Sequence, residues 1–228
     1  MAGESDPVKR RLWITLIVLL TLLAAVGALI AMLGGGEMAY ESPDYRVVEN
    51  IGDVEIRQYD PYLVAQTQVD GNLESAGNAG FRILAKYIFG ANRADRKIAM
   101  TAPVTQEKAT STKISMTTPV TQEKTGGQYT IRFMMPSKYT RQTLPEPSDA
   151  RIRIEEMPAR RLAAIRYSGR WTKENYDEQL SQLRETLRAH GYDAVGEPIW
   201  ARYNPPFMPS FLRRNEILTA FRPSSGAT

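Results

Sequence analysis

The chain has 228 residues, a formal net charge of +4, one histidine and no cysteine. Without cysteine there is no disulfide framework, thiolate metal site or cysteine nucleophile, and the single imidazole, His190, excludes a histidine-rich metal centre. The basic residues are spread along the chain and show no zinc-finger spacing, which argues against a nucleic-acid-binding face.

Lys9, Arg10 and Arg11 precede residues 12–33, a stretch of 22 residues without charge, Asn, Gln or Pro. At about 1.5 Å per residue such a helix spans a hydrocarbon core of about 30 Å. Residues 12–33 therefore read as a transmembrane helix, with Trp13 at the interface. The basic triplet predicts that residues 1–11 are cytoplasmic and that the rest of the chain is extracytoplasmic. The apolar stretch is longer than that of a signal peptide and lacks a good small-x-small cleavage site, so it reads as an uncleaved anchor. Residues 34–43, opening on three glycines, form a linker.

Strands follow at residues 45–50, 54–57 and 62–69, with apolar and charged residues alternating over 54–57. Asn72 is placed to cap a helix running to Phe89, with Gly90 as its stop; Ala76, Gly77, Gly80, Phe81, Leu84 and Ile88 share one face. The two glycines imply that something comes close to the helix backbone, either a packed sheet or a flat ligand. Residues 97–108 and 113–124 then repeat one phrase, KIAMTAPVTQEK and KISMTTPVTQEK. Each copy alternates up to a proline and is expected to be a strand ending in a turn or bulge. Together they predict a hairpin-like excursion with Ile98, Met100, Ile114 and Met116 turned inward. Further strands are expected at 129–135, 151–156, 161–167, 197–203 and 214–221, and a second helix from Thr172 to His190, with Tyr176, Leu180, Leu183 and Leu187 as its apolar stripe. The order describes two similar halves of an α+β domain over residues 44–222, followed by a short tail at 223–228.

KIAMTAPVTQE at 97–107, FMMP at 133–136, YSGRWT at 167–172 and YNPPFMPSFLRRNE at 203–216 occur in this order. Together they resemble the SOUL/haem-binding protein family over about residues 40–221. The resemblance implies two pseudo-symmetric βαββ halves forming a distorted antiparallel β-barrel flanked by two helices, similar to the effector-binding domains of multidrug-responsive regulators. It also implies non-covalent binding of haem or a related tetrapyrrole, often without a firm axial ligand, by a buffer, carrier or sensor.

No phosphate-binding glycine loop or GxSxG elbow is present, so the chain reads as a binding protein rather than an enzyme, with no catalytic and no metal-binding residues assigned. A tetrapyrrole needs an apolar slot and basic groups for its propionates. The expected slot wall is the first-helix face bearing Gly80, Phe81 and Leu84, with Arg82 and Lys86 at its edge for the propionates. The loop from Tyr203 to Arg214 is expected to cover it, with Tyr203 among the binding residues and Met208 and Arg213 pointing in. Two alternatives stay open. A buried Glu216 is a counter-charge for flat or cationic amphiphiles, and Glu216 with Tyr203 as proton donor is a carboxylate-dependent hydrolase pair if the two meet over a pocket.

Overall fold

The computed structural model describes residues 13, 15–22, 24, 40–93, 113–205 and 207–224. The chain divides into two units, Met1–Ala39 and Tyr40–Thr228. The expected span 12–33 lies in large part outside the described residues. Positions 13, 15–22 and 24 are helical, and Trp13 and the apolar side chains at 16–20 and 22 are exposed. Among the described residues no helix is long and apolar enough to cross a membrane.

The second unit begins with β1 (Tyr45–Ile51) and β2 (Val54–Tyr59), joined through Gly52 at a positive φ of 58°, and β3 (Tyr62–Val69). Helix α1 covers Leu73–Ile88. Its first turn is closed by a reciprocal cap: the Asn72 side chain accepts from the Ser75 amide at 2.9 Å, and the Ser75 hydroxyl accepts from the Asn72 amide at 3.1 Å. After β4 (Asn92–Arg93) come β5 (Val120–Thr125) and β6 (Gln128–Met134), closed by the Gly126–Gly127 turn, then β7 (Glu146–Pro147), β8 (Arg153–Met157) and β9 (Arg160–Tyr167). Helix α2 (Lys173–Ala189), β10 (Tyr192–Arg202), a 3-10 turn at Ser210–Leu212 and β11 (Asn215–Pro223) complete the unit.

Nine strands form one antiparallel sheet in the order β1-β2-β9-β11-β10-β5-β6-β3-β8, with β4 and β7 paired separately. The order contains the duplication anticipated from sequence. One half is β3-α1-β5-β6 and the other β9-α2-β10-β11, and they meet where β5 pairs with β10. The strand preceding each half is exchanged: β2 lies against β9, and β8 lies against β3. The expected distorted barrel is not closed among the described residues. Closure requires the two outer strands to share a ladder, whereas among the described residues β1 pairs only with β2 and β8 only with β3. Edge β1 exposes Arg46, Glu49 and Asn50 along with Val47 and Val48, so charge interrupts its border.

Both helices cover one face of the sheet. Under α1, Leu84, Tyr87 and Ile88 pack with Ala65, Ile131 and Phe133. Under α2, Tyr176, Leu183 and Leu187 pack with Val54, Ile165, Trp200 and Ile217. Each such side chain contributes about 1.5–3 kcal/mol on burial. Strand alternation sends the intervening residues to the opposite face, where Tyr59, Leu162, Ala164, Ile199, Ala201 and Leu218 form a third apolar cluster.

The repeated phrase is resolved differently from the expectation. Its first copy, with Ile98 and Met100, lies outside the described residues. In the second copy Ile114 is buried and Met116 half-buried, as expected, but residues 113–119 form no strand. The Ile114 amide donates to the carbonyl of Ile88 at 2.8 Å, and the Thr117 hydroxyl donates to the carbonyl of Met134. The strand starts after Pro119, not before it, because proline cannot donate to a ladder and sits best at a strand's entry.

Two predictions follow from this packing. Deleting residues 97–112 joins Arg96 to Lys113 and keeps the copy that packs in the core; the shortened chain retains a cooperative unfolding transition by circular dichroism. At Gly80 an added Cβ would stand 2.2 Å from Cγ1 of Ile131. Gly80→Ala therefore lowers stability in chemical denaturation by about 1–3 kcal/mol despite alanine's better helix propensity.

Candidate functional site

The residues expected to form one site are distributed over three places. Gly80 and Leu84 face the sheet: Leu84 is fully buried, and the missing Gly80 side chain makes room for Ile131. The close approach implied by the glycines is thus helix against strand, with no slot on that face. Gly77 serves the same end beside Gln122, whose amide donates to the Leu73 carbonyl at 2.8 Å.

Phe81 leans on Phe133 with ring centroids 5.3 Å apart and remains 38% exposed. Four residues apart, Phe81, Ala85 and Phe89 run along the helix from its buried edge outward, and Phe89 is 56% exposed. Arg82 and Lys86 stand exposed beside this strip, and the Lys113 amine lies 5.9 Å from the Phe89 ring centre.

Met208 and Arg213 do not cover α1. Arg213 donates through Nε to the Met208 carbonyl at 2.8 Å and lies 4.4 Å over the ring of Trp171, at the start of α2. Gly169 donates to the Ser210 carbonyl, which anchors the loop at the same helix end. His190 is the C-cap of α2, its Nδ1 2.9 Å from the Thr186 carbonyl oxygen, and serves that helix end.

Tyr203 belongs to the other face of the sheet, in a groove lined by Tyr45, Tyr59, Tyr62, Arg160 and Arg214 among others. Beside it lies the most completely buried carboxylate described, Glu216, with no exposed surface. It accepts five hydrogen bonds: from Arg57 Nη1 at 2.7 Å and Nη2 at 3.2 Å, from Arg214 Nε at 3.2 Å and Nη2 at 2.9 Å, and from the Tyr203 hydroxyl at 2.7 Å. Arg57 is 2% exposed, bonds Glu55 through Nε at 2.7 Å, and is stacked 4.4 Å from the Tyr45 ring centre. Burial alone pushes the Glu216 carboxyl up. The hydrogen bond and charge of Arg57, with the charge of Arg214 and the Tyr203 hydroxyl, outweigh burial and hold the carboxyl below its ordinary value. Burial and the adjacent Glu216 charge push the Tyr203 phenol well up.

Glu216 and Tyr203 therefore meet the geometric condition set for a hydrolytic pair and carry the opposite electrostatics. A carboxylate held ionised by two guanidiniums is a weak base, and a phenol pushed upward is a weak acid. The same neutralisation removes the counter-charge for a cationic amphiphile. Sequence showed Glu216 in RRNE but not its main partner, because Arg57 is 159 positions away; only the strand order brings them together.

Two βαββ halves, both helices on one sheet face and a groove on the other define a class of duplicated α+β domains. The crystal structure of the EcmrR C-terminal domain has this fold, with a TM-score of 0.52 at 11% identity over 78% of this chain and 98% of that one. An EcmrR–DNA complex matches with a TM-score of 0.51 at 12% identity, over 94% of this chain and 70% of that one. A family model described as SOUL heme-binding protein matches residues 40–220, and the chain belongs to that family. Heme-binding protein 2 of Mus musculus is 30% identical over 191 residues, covering 81% of this chain and 87% of the relative. Heme-binding protein 2 of Homo sapiens is 30% identical over 186 residues, covering 78% and 85%.

Glu216 sets a pH dependence of stability. Its carboxyl lies below the ordinary value of 4.5 in the folded state, so its ionised form favours folding. That contribution is whole above about 4.5 and disappears as pH falls through the folded-state value. Glu216→Gln leaves Arg57 buried without its main counter-charge, costs about 3–5 kcal/mol in urea unfolding at pH 7, and flattens the fall of stability between pH 5 and the acid limit seen in the parent protein.

Proposed function

We propose that this chain binds haem or a related tetrapyrrole non-covalently on the outer face of α1, as a buffer, carrier or sensor. The observation that carries it is the exposed strip of Phe81, Ala85 and Phe89 flanked by Arg82 and Lys86. The flat apolar strip suits a macrocycle face, and the two cations beside it suit propionates through charge-assisted hydrogen bonds. Bound there, haem would supply a planar apolar surface and an iron centre, and the protein's part is to hold its faces and acid groups. Family membership and the names of the mammalian relatives support the choice of ligand. Gly80 and Leu84 shape the helix seat and do not touch the ligand. Binding without chemistry also agrees with the electrostatics of Glu216 and Tyr203.

Haemin titration of the full chain in lipid nanodiscs, against empty nanodiscs, is expected to give a saturable Soret shift. Arg82→Glu together with Lys86→Glu should weaken it tenfold or more, and Phe81→Ser should weaken it likewise. Absence of saturation, or variants that bind as well as the parent, would remove this assignment.

We further propose that residues 12–33 anchor the protein as a single span with its N-terminus cytoplasmic. The basic triplet before the apolar run supports that orientation. Because the chain has no cysteine, single-cysteine variants report it directly. A membrane-impermeant maleimide should label Lys138→Cys in intact cells and label Ser5→Cys only after lysis; the reverse pattern, or release of the protein by salt washing, would contradict the orientation or the anchor.

A further inference from the structure

On the sheet face away from both helices, the groove beside Glu216 has the makings of a second site. Its empty space, open solvent included, amounts to about 540 Å³. Tyr45, Tyr59, Tyr62 and Tyr203 line it, and the buried Leu162 and Leu218 form part of its floor. The segment that bounds its mouth is held in place: the Glu41 carbonyl accepts from the Thr118 amide at 2.9 Å, and the Glu41 carboxylate accepts from the Ser137 amide at 2.6 Å. Ser42, next in the chain, is exposed at the rim.

The charge in the groove favours an anion. Two guanidiniums, those of Arg160 and Arg214, are among its lining residues, and no carboxylate is. Glu216 is already engaged by Arg57, Arg214 and Tyr203, and Glu55 by Arg57. Arg160 differs from the other two. It reaches Tyr62 through Nη2 at 3.4 Å, but its Nε is buried without any acceptor. A buried donor of this kind is normally satisfied, and a carboxylate meets a guanidinium in the most favourable geometry available to it.

We propose that this groove binds a small amphiphilic carboxylate. Its head accepts from Arg160, and its apolar part lies between the tyrosine walls over Leu162 and Leu218. An ammonium head would meet Arg160, and no carboxylate is among the described lining residues to pair with it. A macrocycle would require the tyrosine walls to part, so the groove and the outer face of α1 take different ligands on opposite faces of the sheet. The site does not depend on tetrapyrrole binding.

The test uses the full chain in lipid nanodiscs, with empty nanodiscs as the blank, and calorimetric titration with 4-phenylbutyrate and with 4-phenylbutylamine, a pair of similar size and opposite charge. Phenylbutyrate is expected to bind saturably and the amine at least tenfold more weakly. Arg160→Met should weaken phenylbutyrate binding tenfold or more. Ser42→Trp, a substitution at an exposed rim position, should block it without lowering the melting temperature. Haemin titration should be unchanged in both variants. No saturable heat with phenylbutyrate, equal or tighter binding of the amine, or full binding in well-folded Ser42→Trp and Arg160→Met proteins would each overturn the proposal. Loss of haemin binding with phenylbutyrate binding intact would count against the α1 face alone.

Discussion

One buried charge organises the groove face of the sheet. Glu216 on β11 and Arg57 on β2 are separated in the ladder by β9, so their side chains must cross about two strand spacings, on the order of 9–10 Å, to meet. They cross on the side where β9 presents Ala164, a small and fully buried residue. A buried carboxylate is tolerated only when its lone pairs are met, and here two arginines and a phenol meet them. The arrangement ties the exchanged strand β2 to the second half and fixes Tyr203 and Arg214 at the groove. It also determines what the groove does: a carboxylate consumed in holding strands together is not available to take a proton or to attract a cation. The first half carries a more exposed counterpart, in which Arg132 on β6 bonds Glu123 on β5 at 2.6 Å and Gln66 on β3 at 2.9 Å.

The two faces of the sheet divide the work. Along β10, Trp200 and Arg202 turn to the helices while Ile199, Ala201 and Tyr203 turn to the groove. One step along the chain therefore moves a residue from one chemical setting to the other. This is why Tyr203 and Arg213, ten positions apart in one loop-bearing stretch, end on opposite sides: Tyr203 continues the groove register of β10, and Arg213 has followed the 3-10 turn round to Trp171. Binding surfaces then arise separately on each face, an aromatic and basic strip on α1 and a tyrosine-walled groove beneath the sheet.

Local features were legible in the sequence. The Asn72 cap, the Gly90 stop, the apolar stripe of α2 and the strands β2, β3 and β9 all depend on neighbours within a few residues, and they form as read. The duplication was legible from the order of elements. Pairings across long separations were not. Nothing near Glu216 in the chain announces Arg57, and nothing near β8 in the chain announces β3 as its partner. Gly77 and Gly80 were ambiguous for a different reason. A glycine reports that something approaches the backbone and is silent about what, and only the positions of Gln122 and Ile131 decide it.

The repeated phrase shows how nearly equal local signals are separated. Both copies carry the residues that line the seat under α1 and the strand that follows: Ile98 or Ile114, Thr101 or Thr117, Pro103 or Pro119, then the same VTQEK. Loop-closure entropy grows too slowly with length to choose between two copies sixteen residues apart. What distinguishes the second copy is the sequence that follows it. Gly126 and Gly127 take positive φ values of 57° and 88°, which closes β5 onto β6 in a two-residue turn with Thr125 opposite Gln128. The first copy is followed by residues 109–112, with no glycine among them. The tight turn adds the pairs nearest the hairpin end to the ladder, and with them comes the register that places Pro119 and Thr121 in the wall of the groove. A two-glycine turn thus decides between two near-identical segments, and through that choice it sets one side of the binding groove.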